Sequence, residues 1–377
     1  MGDLSSTTDV AFLVNGGFGS ATGERAERIA AALGADRTVV AYREAGPRGA
    51  VSAMRHALLE HRPQVAYAMD LAAAPVAAWL STGSAQPLIV DTGDTPKAFL
   101  DLIGASATAR LAAAGLEKVG CGRSARIIVR GPHHRTQLND AGYHHVSVIP
   151  DGVDLSFFRP IDVDDLRTQL GLDDALTVGV QRNFTWFPQL GGGIGWDPIE
   201  AMGRNPELNV RAILIGSGPG IGELRILAAK HGISDRVHVM GRVPYPDLPR
   251  YLSLCDVCLL TQTNDPSSWA RTTGKLPGYL AAGRHILASR VGTAADLLPE
   301  DMLVDYRGTW DNTYPDRLGR RLAELAVDPA TTRQSGLEVA EMALPFDYDS
   351  IAARCAEEIR QVIVDTDMPA VKKEAMA

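Results

Sequence analysis

The sequence lacks an apolar run long enough to cross a bilayer: Leu71–Leu80 falls well short of the ~20 residues a membrane-spanning helix needs. It lacks a basic cluster too. With 37 Lys and Arg against 45 Asp and Glu, the net charge is −8, so a nucleic-acid partner is not expected. The opening Met1-Gly2-Asp3-Leu4-Ser5-Ser6 has no basic region ahead of Val10–Val14, which reads as a strand, and no secretory signal is expected. Met1-Gly2 with Ser6 fits a short myristoylation pattern that matches by chance, so lipidation is not expected. Cysteine is scarce at four residues. Cys255 and Cys258 form a CxxC inside a strand-like run with no second pair, which reads as buried thiols in a reducing cytoplasm rather than zinc or redox chemistry. Neither a Walker A motif nor a G-x-G-x-x-G fingerprint is present: Gly216-Ser-Gly218-Pro-Gly220 lacks the required third glycine. A nicotinamide dehydrogenase and an ATPase are thereby disfavoured.

What is present is alternation. At 377 residues, two domains are the natural expectation. Apolar content of 45% and charged content of 22% are those of a globular protein, and 37 glycines with 22 prolines supply many turns. Strands are expected at Val10–Val14, Thr38–Tyr42, Val65–Ala68, Pro87–Val90, Ala125–Val129 and Val146–Ile149, with helices between them. The pattern restarts with strands at Leu176–Gln181, Val210–Ile215, Val237–Met240, Val257–Leu260 and His285–Ala288. A polar segment, Asp162–Asp174, lies between. Strand–helix alternation at this spacing gives parallel sheets, and hence two Rossmann-like doubly wound α/β domains facing across a cleft, with ligands outside the strand carboxyl ends.

Several strand ends carry chemistry. Gly16-Gly17-Phe18-Gly19 follows a strand and leads into a helix, so its backbone N–H groups can approach an anion, Gly16 and Gly17 above all. Asp94 closes a strand and can orient an acceptor or take its proton; helix capping by Asp91 or Asp94 is the alternative. His133 and His134 follow another strand end, where His134 is a candidate acceptor contact and a surface loop is the alternative.

The turn Val148-Ile-Pro-Asp-Gly-Val-Asp-Leu-Ser-Phe-Phe-Arg-Pro160 resembles the PNGVD…F.P corner of family 4 retaining glycosyltransferases, with Asp151 in place of Asn. The resemblance runs on through Ile213-Leu-Ile-Gly-Ser-Gly-Pro219, Arg236-Val-His-Val-Met-Gly-Arg-Val-Pro244, Leu252-Ser-Leu-Cys-Asp-Val-Cys258, Tyr279-Leu-Ala-Ala-Gly283 and Ile286-Leu-Ala-Ser-Arg-Val-Gly292. The tail Phe346-Asp-Tyr-Asp-Ser-Ile-Ala-Ala-Arg354 is similar to the family's crossover helix, about 346–366, which returns to the first domain. The resemblance covers nearly all of the second half and is weaker across the first.

It implies a GT-B fold, with an acceptor-side domain over 1–160 and a nucleotide-sugar domain over 170–345. It also implies a metal-independent transfer with no cofactor beyond the sugar-nucleotide co-substrate. Asp162-Val-Asp164 lies in the linker, so no Asp-x-Asp metal pair faces the cleft. By resemblance, Arg182 holds the donor diphosphate, opposite Gly16 and Gly17, with a lysine expected a few residues on. No Lys or Arg lies between Asn183 and Glu200. Lys275, just ahead of Pro277 at a helix start, is the candidate replacement, a solvated surface lysine being the alternative. Gly216, Gly218, Gly241, Arg242 and Val243 are placed at the nucleoside, and Arg271, beside the position of a family glutamate, is the candidate to reach the donor sugar, a solvated arginine being the alternative. The family's paired glutamates fall at Ala270 and Gly278, and a histidine of its first domain at Gly93. Those departures imply a rewired donor site, or a non-catalytic sugar-nucleotide-binding scaffold. High Ala, Gly and Arg content points to a GC-rich, actinobacterial genome and to a small-molecule acceptor in natural-product metabolism. The donor base (GDP or UDP), the sugar, the linkage, the stereochemical course and a homodimer are left open.

Overall fold

A computed structural model describes residues 10–34, 38–43, 46–69, 73–84, 86–93, 95, 100, 105–172 and 174–367. The chain divides into two compact units, changing over between Gly152 and Val153 and again between Asp347 and Tyr348; Ala270–Thr272 groups with the first unit.

The first unit is built on six parallel strands: β1 (Val10–Val14), β2 (Thr38–Tyr42), β3 (Val65–Met69), β4 (Leu88–Thr92), β5 (Arg126–Val129) and β6 (Val146–Val148). Their order is β2-β1-β3-β4-β5-β6. Val10 registers against both Thr38 and Val65. These strands are near-continuous apolar runs because helices cover both faces of a parallel sheet. Successive side chains go to opposite faces: Ala11 and Leu13 join Met54, Leu58 and Trp79, while Val10, Phe12 and Val14 join Ile29 and the C-terminal helix Tyr348–Asp367. That helix brings Ile351, Cys355, Ile359 and Val362 onto the sheet, each 2% exposed or less. At ~25 cal/mol per Å2, each aliphatic side chain so buried contributes roughly 1.5–3 kcal/mol.

The second unit carries β7 (Leu176–Gln181), β10 (Val210–Ile215), β11 (Val237–Gly241), β12 (Val257–Leu260), β13 (His285–Ser289) and β14 (Leu303–Val304), all parallel in the order β11-β10-β7-β12-β13-β14. A two-stranded antiparallel hairpin, β8 (Trp186–Phe187) with β9 (Gly192–Gly193), interrupts the first crossover. The segment expected to be a linker contains a helix, Asp164–Gln169, and belongs to this unit. Its Arg167 is buried and donates to the Leu254 and Leu172 carbonyls, which makes the segment part of the packed body.

The second sheet's order turns between β7 and β12. From β7 the chain proceeds to β10 and β11 on one side, then returns to β12 and continues to β13 and β14 on the other. The β7–β12 ladder registers only Val257 with Val178 and Cys258 with Gly179. Beyond that point the Gln181 N–H donates instead to the Tyr279 hydroxyl, 3.1 Å away. Such an order reversal at strand carboxyl ends is where open α/β sheets form their ligand crevices.

Candidate functional site

Arg182 is the first residue past β7, and its Nη2 donates to the Thr261 carbonyl at 2.8 Å, across the point where the strand order turns. On its other side it meets the glycine turn after β10. The Arg182 N–H donates to Ile215 O (3.0 Å), Phe184 N–H to Ser217 O (2.9 Å), and Gly220 N–H back to Phe184 O (3.0 Å). Gly216 and Gly218 take φ of +136° and +148°, and a Cβ at either would run into the backbone of Arg182 or Phe184. These glycines exist because two backbone segments pack at main-chain distance, with the buried Phe184 ring as anchor. Gly241, with φ of +75°, accepts from the Gly216 N–H at 2.7 Å. The structure therefore brings together Arg182, Gly216, Gly218 and Gly241, which are far apart in sequence. Of their predicted companions, Arg242 is exposed and Val243 half-buried against the core.

Behind Arg182 lies a carboxylate that the sequence reading passed over. Asp197 sits in the first turn of helix Trp196–Arg204, 3% exposed, and its Oδ2 accepts from Thr261 Oγ1 at 2.6 Å. Burial lifts its pKa above the usual carboxylate range, against the opposing hydrogen bond from Thr261 and the charge of Arg182. The Tyr314 hydroxyl lies 3.5 Å from the same Thr261 oxygen, and burial raises its pKa. The stretch after Arg182 that lacks a second cation is the β8–β9 hairpin. A Cβ at Gly192 would meet Trp310 at 2.5 Å, so this glycine lies directly against the Trp196–Trp310 stack (centroids 4.9 Å). Where a diphosphate-binding lysine was expected by resemblance, the chain has spent its residues on an aromatic brace.

Lys275 is the first residue of helix Lys275–Ala281 and is half-buried; Arg271 is half-buried as well. Ala270 and Gly278, the positions of the family's glutamates, are both buried. A Cβ at Gly278 would lie 3.4 Å from the Phe158 ring, in ordinary contact.

In the first unit, Gly16 and Gly17 form the turn between β1 and helix Ala21–Leu33, where the sheet order also reverses, between β1 and β3. Ser20 caps the helix, its Oγ accepting from Gly23 N–H at 3.1 Å, and a Cβ at Gly16 would collide with that hydroxyl. Asp94 lies outside the described residues. His134 is the third residue of helix Pro132–Asp140 and only 1% exposed, so the strand-end loop offered as its alternative is instead a helix start. His133 beside it is half-buried.

Asp91 caps no helix among the described residues. It is fully buried in β4 and accepts from Arg25 Nε (3.0 Å), from the Tyr67 hydroxyl (2.6 Å) and from Arg130. Arg130 Nε also meets Asp151 at 2.7 Å, and Arg25 donates to the Pro150 carbonyl at 2.8 Å. Burial alone would raise the Asp91 pKa, but Arg130 and Arg25 outweigh it and hold the carboxyl below its usual range. The Asp151 of the interdomain corner is thus half of an ion pair in the first unit. A cavity of about 600 Å3 lies between β6 and the C-terminal helix, lined by Arg126, Arg135, Arg354 and Glu358 among others. None of the sequence-predicted residues lines it.

Residues 196–311, which include Gly216, Gly218, Gly241, Thr261, Arg271 and Lys275, match the family model described as Glycosyl transferases group 1. The matched stretch lies in the second unit except for Ala270–Thr272. Among curated relatives, a D-inositol 3-phosphate glycosyltransferase of Segniliparus rotundus is 27% identical over 225 residues, 58% of this chain and 47% of the relative. A GDP-mannose-dependent alpha-(1-6)-phosphatidylinositol monomannoside mannosyltransferase of Mycobacterium tuberculosis is 26% identical over 222 residues, 56% of this chain and 55% of the relative. The chain spans about half the length of these curated relatives. Among solved structures, Anabaena Alr3699/HepE in complex with UDP and glucose superposes with a TM-score of 0.73 at 19% identity, covering 94% of this chain and 100% of that one. The two parallel-sheet α/β units are of the GT-B type. No helix among the described residues is long and apolar enough to cross a membrane.

Proposed function

We propose that this chain is a glycosyltransferase that takes a sugar from a nucleoside-diphosphate donor, GDP- or UDP-linked, and passes it to a small-molecule acceptor. The observation that carries the reading is Arg182, held across the strand-order reversal of the second sheet, with its backbone N–H on Ile215 O and its carbonyl packed against Gly216. A guanidinium there, with main-chain N–H groups around it, suits the two phosphates that leave when the glycosidic bond to the donor breaks. Lys275 adds a second cation, Gly241, Arg242 and Val243 border the nucleoside, and Arg271 meets the sugar. On the first unit, the Gly16–Gly17 turn offers backbone N–H groups to an anion. Asp94 and His134 are the acceptor-side groups, with Asp94 as proton acceptor. The charge on the leaving diphosphate is balanced by these cations and amides. The relatives' names support a GDP or UDP donor; cytoplasmic natural-product metabolism, with an unusual sugar, is the context that best suits the altered donor positions.

A second reading keeps the binding and drops the turnover. Ala270 and Gly278 replace two carboxylates whose hydrogen bonds to hydroxyls would contribute about 1.5–3 kcal/mol each, which favours a sugar-nucleotide-binding scaffold as the alternative. A thermal-shift series with UDP, GDP, ADP and TDP, followed by mass-spectrometric detection of donor consumption, separates the two. The transferase reading expects stabilisation by one diphosphate and consumption of its sugar conjugate. Stabilisation without consumption across a broad donor and acceptor panel favours the scaffold, and no stabilisation by any of the four overturns both.

A further inference from the structure

Asp197 and Thr261 have no part in the reading above, yet they are tied to its central residue. Thr261 is held from two sides. Its hydroxyl donates to Asp197 Oδ2 at 2.6 Å, and its carbonyl accepts from Arg182 Nη2 at 2.8 Å. This bridge spans the stretch where β7 and β12 no longer pair, so no sheet hydrogen bond fixes the two strand ends against each other. The Thr261 carbonyl restrains Arg182, a long, rotamer-rich side chain just past the end of β7. Asp197 is itself buried in the first helical turn, and its ring neighbour Trp196 is stacked on Trp310.

We infer that Asp197 and Thr261 are positioning residues that set the guanidinium of Arg182 for the diphosphate of a nucleotide donor. The inference rests on the reading that Arg182 is the cation of the diphosphate. Its chemistry runs against simple charge counting, which makes it testable. A carboxylate near an anion site repels the anion, so an Asp197 that did nothing but add charge would weaken binding, and its neutralisation would tighten it. A carboxylate that orders Arg182 through Thr261 does the opposite, because removing it releases the arginine from its preorganised position.

The full-length chain is titrated calorimetrically with UDP and with GDP, as wild type and as Arg182→Ala, Thr261→Val, Thr261→Ser and Asp197→Ala. Thr261→Val keeps shape and carbonyl but removes the hydroxyl; Thr261→Ser restores it. Expected are about tenfold weaker binding for Arg182→Ala, Thr261→Val and Asp197→Ala, and binding within about twofold of wild type for Thr261→Ser. With a competent donor, the same variants raise KM more than they lower kcat. A merely structural role would lower Tm equally in Thr261→Val without moving Kd. Wild-type or tighter binding by both Thr261→Val and Asp197→Ala, with Arg182→Ala weakened, overturns the inference alone. A wild-type chain that binds neither diphosphate, or an Arg182→Ala variant that binds as well, overturns the reading of Arg182 and the inference with it.

Discussion

Arg25 and Asp91 meet at 3.0 Å in the interior of the first unit, joining its first helix to the middle of its sheet, and neither is more than 1% exposed. Asp91 accepts from Arg130 as well, and Arg130 pairs with Asp151, so two arginines and two aspartates balance in charge. Removing one partner leaves a buried charge uncompensated. Asp91→Ala is expected to cost about 3–5 kcal/mol in urea unfolding. An Arg25→Met, Asp91→Leu pair leaves Arg130 balanced by Asp151, and is expected to lose less than Asp91→Ala alone. A double variant weaker than Asp91→Ala would show that the network is not acting as a charge balance.

Acid should destabilise the chain in two steps with different owners. Burial pushes the His285 imidazole down to about 4, so the folded chain binds its proton later than the unfolded chain does. That contribution to stability is present above pH ~6.5 and is lost as the pH falls towards 4, at most roughly 3 kcal/mol. Asp91 acts lower. Its folded pKa lies below the ordinary carboxylate range, so its share is full above pH ~4 and is lost as the pH falls further. His285→Gln should therefore flatten the stability profile between pH 6.5 and 4 and leave the lower limb in place. A profile unchanged in that window would remove His285 as the cause.

Gly216→Ala tests the packing of the glycine turn against Arg182. Its φ of +136° and the collision with the Arg182 carbonyl predict a loss of about 1–3 kcal/mol and of nucleotide binding together. Gly222→Ala, six residues on, is the control. A Cβ there meets nothing within 4 Å, and helix Ile221–Lys230 should gain up to about 1 kcal/mol with binding unchanged. Equal Tm values for the two variants would contradict the geometry.

Gly278→Ala should stabilise by about 0.5–1 kcal/mol, because the position is helical and the added methyl touches the Phe158 ring at an ordinary 3.4 Å. Calorimetric Kd for UDP or GDP should not change, since glycine offers no side chain to lose. A weakened Kd would mean that the donor approaches this backbone more closely than the site as drawn here requires.

The sheets were legible in the sequence and the charged interior was not, for one physical reason. A strand covered on both faces is an apolar run, so Leu176–Gln181, Val210–Ile215 and Val257–Leu260 could be read to the residue. Two-residue strands carry no period, and Trp186–Phe187, Gly192–Gly193 and Leu303–Val304 went unseen. Arg25 did leave a signal: it occupies the same helical stripe as Ile29 and Leu33, where an arginine can only be paired or misplaced. Its partners lie 66 and more residues away, and no local pattern joins them. Asp197 was masked in another way, since an acid in the first turn of a helix is adequately explained by the helix itself.

The chain leaves the first unit at Gly152 and re-enters it at Tyr348, where a Cβ on the glycine would lie 2.7 Å from the tyrosine ring. On the ribosome this imposes an order of events. The face of the first sheet formed by Val10, Phe12 and Tyr67 is made early, but its cover, Ile351 to Val362, is made only after the whole second unit. For that interval the nascent protein carries an open apolar surface, the kind that chaperones recognise and that self-associates when left alone. Synthesis rate and chaperone supply, more than the stability of the finished molecule, should then govern how much of it is recovered folded.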